Sequence, residues 1–118
     1  MPMSEVFDKQ ALMERVDNDL EFLEETISML DEDSPGLLRQ IQEAAVRSDA
    51  AALVAPAHTL KGMLANFCAA PAETAAREVE MMGRENRMAD VESAVATLET
   101  ESARLRNALH GFLEAAKR

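Results

Sequence analysis

Aromatic residues are scarce in this sequence, which has no Trp, no Tyr and only four Phe. The core must therefore be built from aliphatic side chains and Met, a composition that suits packed helices. Gly and Pro number four each, too few for the many turns of an all-β fold. The single cysteine, Cys68, excludes an internal disulfide and makes a reducing compartment the expected one.

The sequence also lacks an apolar run long enough to cross a membrane, and its first residues do not resemble a signal peptide. Basic residues are outnumbered, with 12 Lys and Arg against 22 Asp and Glu, and the formal net charge is −10. This excess of negative charge argues against nucleic acid or an anionic membrane as a partner. We expect a cytoplasmic monomer with a single domain over residues 1–118, and Met1 favours a short free-standing protein.

Apolar residues make up 47% of the chain and recur at helical spacing. A short first helix is predicted from about Asp8, its N-cap, to Val16. A second helix begins near Asp17, and its apolar positions advance in steps of three and four through Pro35. Because the apolar positions stay on one helix face before and after Pro35, one long helix kinked at Pro35 is favoured. The alternative is a break, in which Ser34 caps a new helix and Pro35 occupies its first position.

Three further helices complete the predicted fold. The third runs from about Ala50 to Cys68, the fourth from Ala69-Ala70-Pro71 to about Arg84-Glu85-Asn86, and the fifth from about Met88 to Ala116. The fifth has the clearest apolar stripe, formed by Val91, Val95, Leu98, Ser102, Leu105, Leu109 and Phe112. Short connections imply antiparallel neighbours. The prediction is an all-α, antiparallel up-down-up-down four-helix bundle with a short N-terminal capping helix, and this fold alone assigns no function.

The third helix presents a histidine on its exposed face. At about 100° per residue, His58 lies about 140° from the start of the buried stripe, which comprises Leu53, Ala57, Leu60, Leu64 and Phe67. Gly62, Ala65 and Ala69 follow His58 on the same face, so the imidazole heads a ridge with almost no side chains. Because a helix-interior Gly costs about 0.5–1 kcal/mol relative to Ala, we expect the ridge to admit another protein closely.

These residues suit phosphoryl transfer through His58. A solvated imidazole is neutral to a large extent at cellular pH, and the neutral form is nucleophilic. Lys61, one turn further on, can offset the negative charge of a phosphohistidine. The alternative is an ordinary surface histidine, the usual role of a lone exposed His on a helix. The combination of Lys61, Gly62 and the small residues of the ridge argues against that alternative.

The segment His58-Thr59-Leu60-Lys61-Gly62 resembles the His-x-Leu-Lys-Gly signature of the histidine-containing phosphotransfer family, and the resemblance covers nearly the whole chain. It implies a four-helix bundle with a capping helix, phosphorylation of His58 at Nε2, and Lys61 and Gly62 flanking that site. It also implies a phosphoryl carrier of two-component signalling, without an ATP site, whose partners are a response-regulator receiver domain, a sensor histidine kinase, or both. Two departures are Met63-Leu64, where small residues are usual, and Pro56, which should bend or distort the third helix.

The fourth helix carries Glu73, Arg77, Glu80 and Arg84 on one face. For Glu73 and Arg77 we expect a solvated salt bridge. The resemblance places a polar and a basic side chain near the imidazole from this helix. It implies that Glu80 accepts the Nδ1 proton of His58, which leaves Nε2 as the nucleophile, and that Arg84 adds positive charge for the phosphoryl group.

Other candidate residues carry weaker signals. His110 has no Lys-Gly context and is interpreted as an ordinary surface or packing residue, and Cys68 as a small, partly buried hydrophobe. Phe22 and Met29 lie off the core stripe, seven residues apart. We expect them to pack beneath the first helix. The alternative is an apolar docking patch beside His58.

Two other functions compete with a phosphoryl carrier. One is a helical module that is not phosphorylated and that binds and regulates a kinase or receiver domain; the intact His-Lys-Gly combination favours the carrier. The other is a di-iron carboxylate bundle, which needs inward-facing Glu-x-x-His pairs. Neither histidine has a Glu three residues before it, so we expect no metal and no cofactor.

Overall fold

The structure, a computed structural model, describes residues 5–118, which form helices and connections with no strand among them. The five α-helices are α1 (Lys9–Arg15), α2 (Leu20–Val46), α3 (Ala50–Ala65), α4 (Ala70–Glu85) and α5 (Val91–Ala116). The predicted all-α class is confirmed for this part of the chain.

Aspartates begin the first three helices. Asp8, Asp19 and Asp49 have extended backbones, and each side chain accepts a hydrogen bond from the amide three residues later, at 3.0, 3.1 and 3.2 Å respectively. Such a cap contributes about 1 kcal/mol. The predicted caps Asp8 and Asp49 are confirmed. The second helix begins later than predicted, because Asp17 and Asn18 adopt left-handed conformations with φ of 58° and 56°.

Left-handed residues also follow α2, α3 and α4, with φ of 53° at Ser48, 55° at Cys68 and 54° at Asn86. The third helix was expected to reach Cys68 but ends at Ala65. The next three amides each bond to a carbonyl three residues earlier, which tightens the last turn. Cys68 then reverses the chain, and its side chain is partly buried as predicted.

Both prolines within helices are accommodated without a break. α2 is continuous through Pro35, which confirms one long helix and excludes a new helix capped by Ser34. α3 is continuous through Pro56, which is buried. Proline has no amide hydrogen, so neither residue donates the usual bond to the carbonyl four positions earlier.

The four long helices enclose an apolar core. α2 contacts α3 and α5, and α4 contacts the same two helices, so the contacts form a closed circuit. The largest fully buried side chains are mostly Leu, as the composition predicted. In α5, Ser102 is buried as expected, but Leu113 completes the core stripe. Phe112 is only partly buried, and its ring meets that of Phe7 edge-on, with centroids 5.5 Å apart.

α1 is attached to the connection between α3 and α4. The Asp8 amide donates to the Cys68 carbonyl at 2.9 Å, and Arg15 Nη1 donates to Asn66 Oδ1 at 3.3 Å. Leu12 is fully buried. Phe22 and Met29 do not pack beneath this helix, since their exposed fractions are 50% and 60%. The prediction that they do so was wrong.

Gly83 allows α4 to lie close against α3. A Cβ at this position would be 2.8 Å from the Ala50 carbonyl oxygen and 3.0 Å from Val54 Cγ2. Gly83→Ala should therefore lower the free energy of unfolding by about 1–3 kcal/mol, the usual cost of overpacking. Urea unfolding tests this. Gly111→Ala is the control, because a Cβ there meets nothing within 4 Å. Stability at or above wild type for Gly83→Ala would contradict the close helix contact.

Candidate functional site

His58 projects from the exposed face of α3. Its side chain is 61% exposed, although its neighbour Ala57 is fully buried. One turn further on, Gly62 is exposed, and a Cβ built there would meet nothing within 4 Å. The imidazole therefore borders an open surface that another molecule can approach.

The ridge that follows His58 is shorter than predicted. Ala65 is partly buried as the last residue of α3, and Ala69 is fully buried as the N-cap of α4. The prediction of Ala69 as a docking residue is wrong, because α3 ends at Ala65 and the turn at Cys68 removes Ala69 from the helical register of His58.

Glu80 of α4 joins the charged groups of the site, although its side chain is only 5% exposed. Its Oε2 lies 3.0 Å from His58 Nδ1 and accepts hydrogen bonds from Arg84 Nε and Nη2 at 2.9 and 2.7 Å. Its Oε1 lies 2.8 Å from Lys61 Nζ. One buried carboxylate thus contacts all three of these side chains.

The other charged pair of α4 remains at the surface. Arg77 donates to Glu73 at 2.9 Å, as the sequence predicted. Glu80 was expected on the same face, but it is buried between α3 and α4. A sequence signal for this burial exists, since Glu80 follows Ala72 and Ala76 at intervals of four and precedes Gly83, all of which are buried. A carboxylate in such a buried stripe requires a paired charge, because Glu is almost never fully buried without one.

The surroundings of Glu80 favour its ionised form. The Lys61 ammonium beside Oε1 has the largest effect; burial opposes it, and hydrogen bonds from Arg84 and His58 add to it. Together they lower the pKa of Glu80 to about 2. The carboxylate is therefore charged at neutral pH. Two cations surround this one anion, so with a neutral imidazole the cluster is positive within a chain of net charge −10.

The carboxylate also determines which form of the imidazole is favoured. Ionised Glu80 can only accept hydrogen bonds, so its contact with Nδ1 favours the tautomer that carries hydrogen on Nδ1. The lone pair is then on Nε2. An exposed Nε2 with a free lone pair is a nucleophile, and the neighbouring cations suit an anionic reactant.

The lowered pKa of Glu80 predicts an acid-sensitive contribution to stability. The usual value is 4.5, and the folded value is about 2. The contribution is therefore fully present above about pH 4.5 and is lost as the pH falls towards 2. Urea unfolding across this window should show a steeper loss of stability for wild type than for Glu80→Gln. Parallel curves for the two proteins would contradict the buried ion pair.

The second histidine belongs to a different cluster. His110 Nε2 lies 2.6 Å from Asp31 Oδ2, and Arg106 Nε donates to Asp31 Oδ1 at 2.8 Å. Burial acts to raise the pKa of Asp31, but the hydrogen bonds from Arg106 and His110 outweigh it and lower the pKa. These contacts join α2 to α5. Over residues 5–118, no group of three or more His, Cys, Asp or Glu side chains is arranged to hold a metal.

The described part of the chain is thus all-helical, and its exposed histidine contacts a buried carboxylate. The family model described as Hpt domain matches residues 25–108, and the chain belongs to this family. The match includes His58 and the three side chains around it, and it confirms the resemblance inferred from the motif. No curated protein and no solved structure matches in the corresponding comparisons. Hpt domains act in phosphotransfer of two-component signalling as phosphoryl carriers, without ATP sites. No helix within the described residues is both long and apolar enough to span a bilayer.

Proposed function

We propose that this chain is a phosphorelay intermediate in which His58 accepts a phosphoryl group on Nε2 and exchanges it with the aspartate of a response-regulator receiver domain. The observation that carries the proposal is the 3.0 Å contact between His58 Nδ1 and buried Glu80. This contact holds one ring nitrogen inward while the other remains available to a partner.

The transfer step balances without a further reactant. Nε2 attacks the phosphorus of an aspartyl phosphate, and the N–P bond forms as the P–O bond to the aspartate breaks. The aspartate leaves with the electron pair of that bond. The imidazole keeps its Nδ1 hydrogen and becomes positively charged, so ionised Glu80 stabilises the ring. Lys61 and Arg84 supply positive charge for the phosphoryl oxygens.

We also infer the up-down-up-down topology of the bundle. Glu80 contacts His58 and Lys61, whereas Gly83, later in α4, packs against Ala50 at the start of α3. Contacts that run in opposite directions along two helices support an antiparallel pair. The ion pairs Glu24–Lys117 and Asp31–Arg106 support the same arrangement for α2 and α5. The position of α1 beside the α3–α4 connection suits a cap at that end.

Incubation with receiver domains charged by acetyl phosphate, followed by mapping of the phosphate, tests the function. We expect an adduct on His58 that is stable in base and labile in acid, because phosphoramidates hydrolyse in acid. A chain that binds receiver domains but takes no label would contradict the carrier function and support the alternative, a regulatory module that is not phosphorylated.

The positive charges of Lys61 and Arg84 should affect the adduct. Lys61→Ala or Arg84→Ala should slow transfer or shorten the lifetime of the phosphohistidine. The change in activation free energy should be about 1–3 kcal/mol, the value of a charge-assisted contact. Rates of transfer and of adduct hydrolysis measure both effects. Arg77→Ala is the control, since Arg77 pairs with Glu73 on the same helix and does not contact Glu80. Wild-type rates and adduct lifetime for Arg84→Ala would contradict its role.

A further inference from the structure

A groove lies between the C-terminal end of α2 and the N-terminal end of α5. The helices contact one another in the circuit α2, α3, α4, α5, so the pair α2 and α5 lies opposite the pair α3 and α4, which carries the His58 cluster. We name this surface the α2–α5 groove. The residues that line it are Gln42, Ala45, Val46, Glu92, Val95, Ala96 and Glu99.

The centre of the α2–α5 groove is apolar. Ala45 and Val95 form its floor, since each is buried with an exposed fraction of 4%. Val46 lines the groove beside them, although 71% of this apolar residue is exposed to solvent. A second depression on α2 shares Val46 with the groove, so the exposed side chain borders two concave surfaces. Exposed apolar surface of this kind, rimmed by polar residues, is typical of a protein interaction site.

The rim of the α2–α5 groove is acidic. Glu92 and Glu99 line it from α5, and Glu43 lines the adjoining depression on α2. None of these three carboxylates forms an ion pair within residues 5–118. Arg47 also lines the adjoining depression, but it lies 4.0 Å from Asp49 Oδ2. The negative charge of the rim is therefore left uncompensated by ion pairs in the described part of the chain.

We propose that the α2–α5 groove binds an amphipathic helix of a partner protein, with apolar residues against Val46 and Val95 and with Lys or Arg residues facing the rim. The lining residues of α5 extend over two turns, from Glu92 to Glu99, so a helix can lie along the groove. Charge complementarity selects a basic helix, because the rim carboxylates have no cation of their own. A second copy of this chain that used the same groove would place these carboxylates against one another and be repelled.

A partner bound in the α2–α5 groove leaves His58 uncovered. His58 and Lys61 lie on α3, and Glu80 and Arg84 lie on α4, whereas only α2 and α5 line the groove. The groove therefore tethers the chain to one protein while a second protein can reach the imidazole. Binding there requires no phosphoryl group on His58, so the inference stands apart from the proposed function.

A synthetic amphipathic peptide with Leu on one helix face and Lys on the other tests the groove. Fluorescence anisotropy of the labelled peptide gives its Kd, and amide chemical shifts of the full chain locate the site. We expect saturable binding that shifts amides at the end of α2 and the start of α5 and leaves the ring signals of His58 unchanged. The same peptide with Glu in place of Lys should bind about tenfold more weakly or worse, and high salt should weaken binding of the Lys peptide.

Variants of the groove should weaken binding of the Lys peptide. Val46→Ser, and separately Glu92→Lys with Glu99→Lys, should each raise its Kd about tenfold or more, the scale for losing interface anchors. Matched controls lie elsewhere on α2. Met29→Ser alters an apolar residue that is 60% exposed, and Glu25→Lys with Glu32→Lys reverses two exposed charges at the same spacing of seven residues.

The controls should bind the Lys peptide with the wild-type Kd. The two double variants change the net charge equally, so a loss confined to the groove variant cannot arise from general attraction between a cationic peptide and an acidic chain. Equal losses in groove and control variants, or shifted amides outside the ends of α2 and α5 that form the groove, would overturn the proposal. A wild-type dimer that Val46→Ser dissociates in size-exclusion chromatography would also overturn it, because the groove would then hold a second copy.

Discussion

His58→Gln is expected to abolish phosphoryl acceptance while leaving the fold intact. The imidazole supplies the only nucleophile of the site, and no side chain beside it can replace Nε2. The substitution should be tolerated because the side chain is 61% exposed and Gln is a good helix former that can still hydrogen-bond to Glu80. Labelling by phosphoramidate and by a charged receiver, together with a thermal unfolding curve, measures both parts of the prediction.

His110→Gln is the matched control for this experiment. His110 also contacts a carboxylate, Asp31, but it lies in the contact between α2 and α5, away from Glu80 and Lys61. Its loss should leave the amount of label unchanged and lower stability slightly, through the weakened contact with Asp31. Label that persists on the His58 variant, or that disappears from the His110 variant, would contradict the assignment of the acceptor.

Local rules account for the parts of the fold that the sequence predicted. Asp8 and Asp49 were recognisable as caps because an aspartate before an apolar helical stretch accepts a hydrogen bond from the first turn. The continuity of α2 was predictable because apolar residues keep the same helical spacing before and after Pro35. The exposure of His58 followed from its angle to the buried stripe of α3. Each of these inferences uses residues within a few turns of one another.

The features that sequence reasoning missed depend on contacts between distant residues or on a single backbone angle. Ala69 was placed on the ridge because nothing in its residue type indicates that Cys68 adopts φ of 55° and ends the register of α3. The contact of Glu80 with His58 was expected from the family resemblance, but the burial of Glu80 was not, because a carboxylate is rarely buried unless it is paired. The pairing depends on Lys61, 19 positions earlier in the chain and on another helix. Met29 was expected to pack beneath α1. The structure instead attaches α1 to the α3–α4 connection and leaves Met29 exposed.

The open surface at Gly62 leads to the second large effect. Gly62→Ala should be neutral or raise the free energy of unfolding by up to about 1 kcal/mol, because Ala loses less conformational entropy in a helix. Gly83→Ala should change the free energy of unfolding in the opposite direction. A Cβ at position 62 meets nothing within 4 Å, whereas one at position 83 meets the Ala50 carbonyl. Urea unfolding of the two variants side by side compares the open and the packed surface of the same pair of helices.

Gly62→Gln should separate folding from function. Gln is a good helix former, so the variant should melt at or above the wild-type temperature. Its long side chain lies one turn from His58, on the surface that a receiver must cover to bring its aspartyl phosphate to Nε2. Transfer from the receiver should therefore fall strongly, whereas labelling by phosphoramidate should fall much less because the small donor needs less room. Unfolding of Gly62→Gln would show that this surface packs against another part of the chain. Normal receiver transfer by a stable Gly62→Gln would show that the partner approaches His58 from another side.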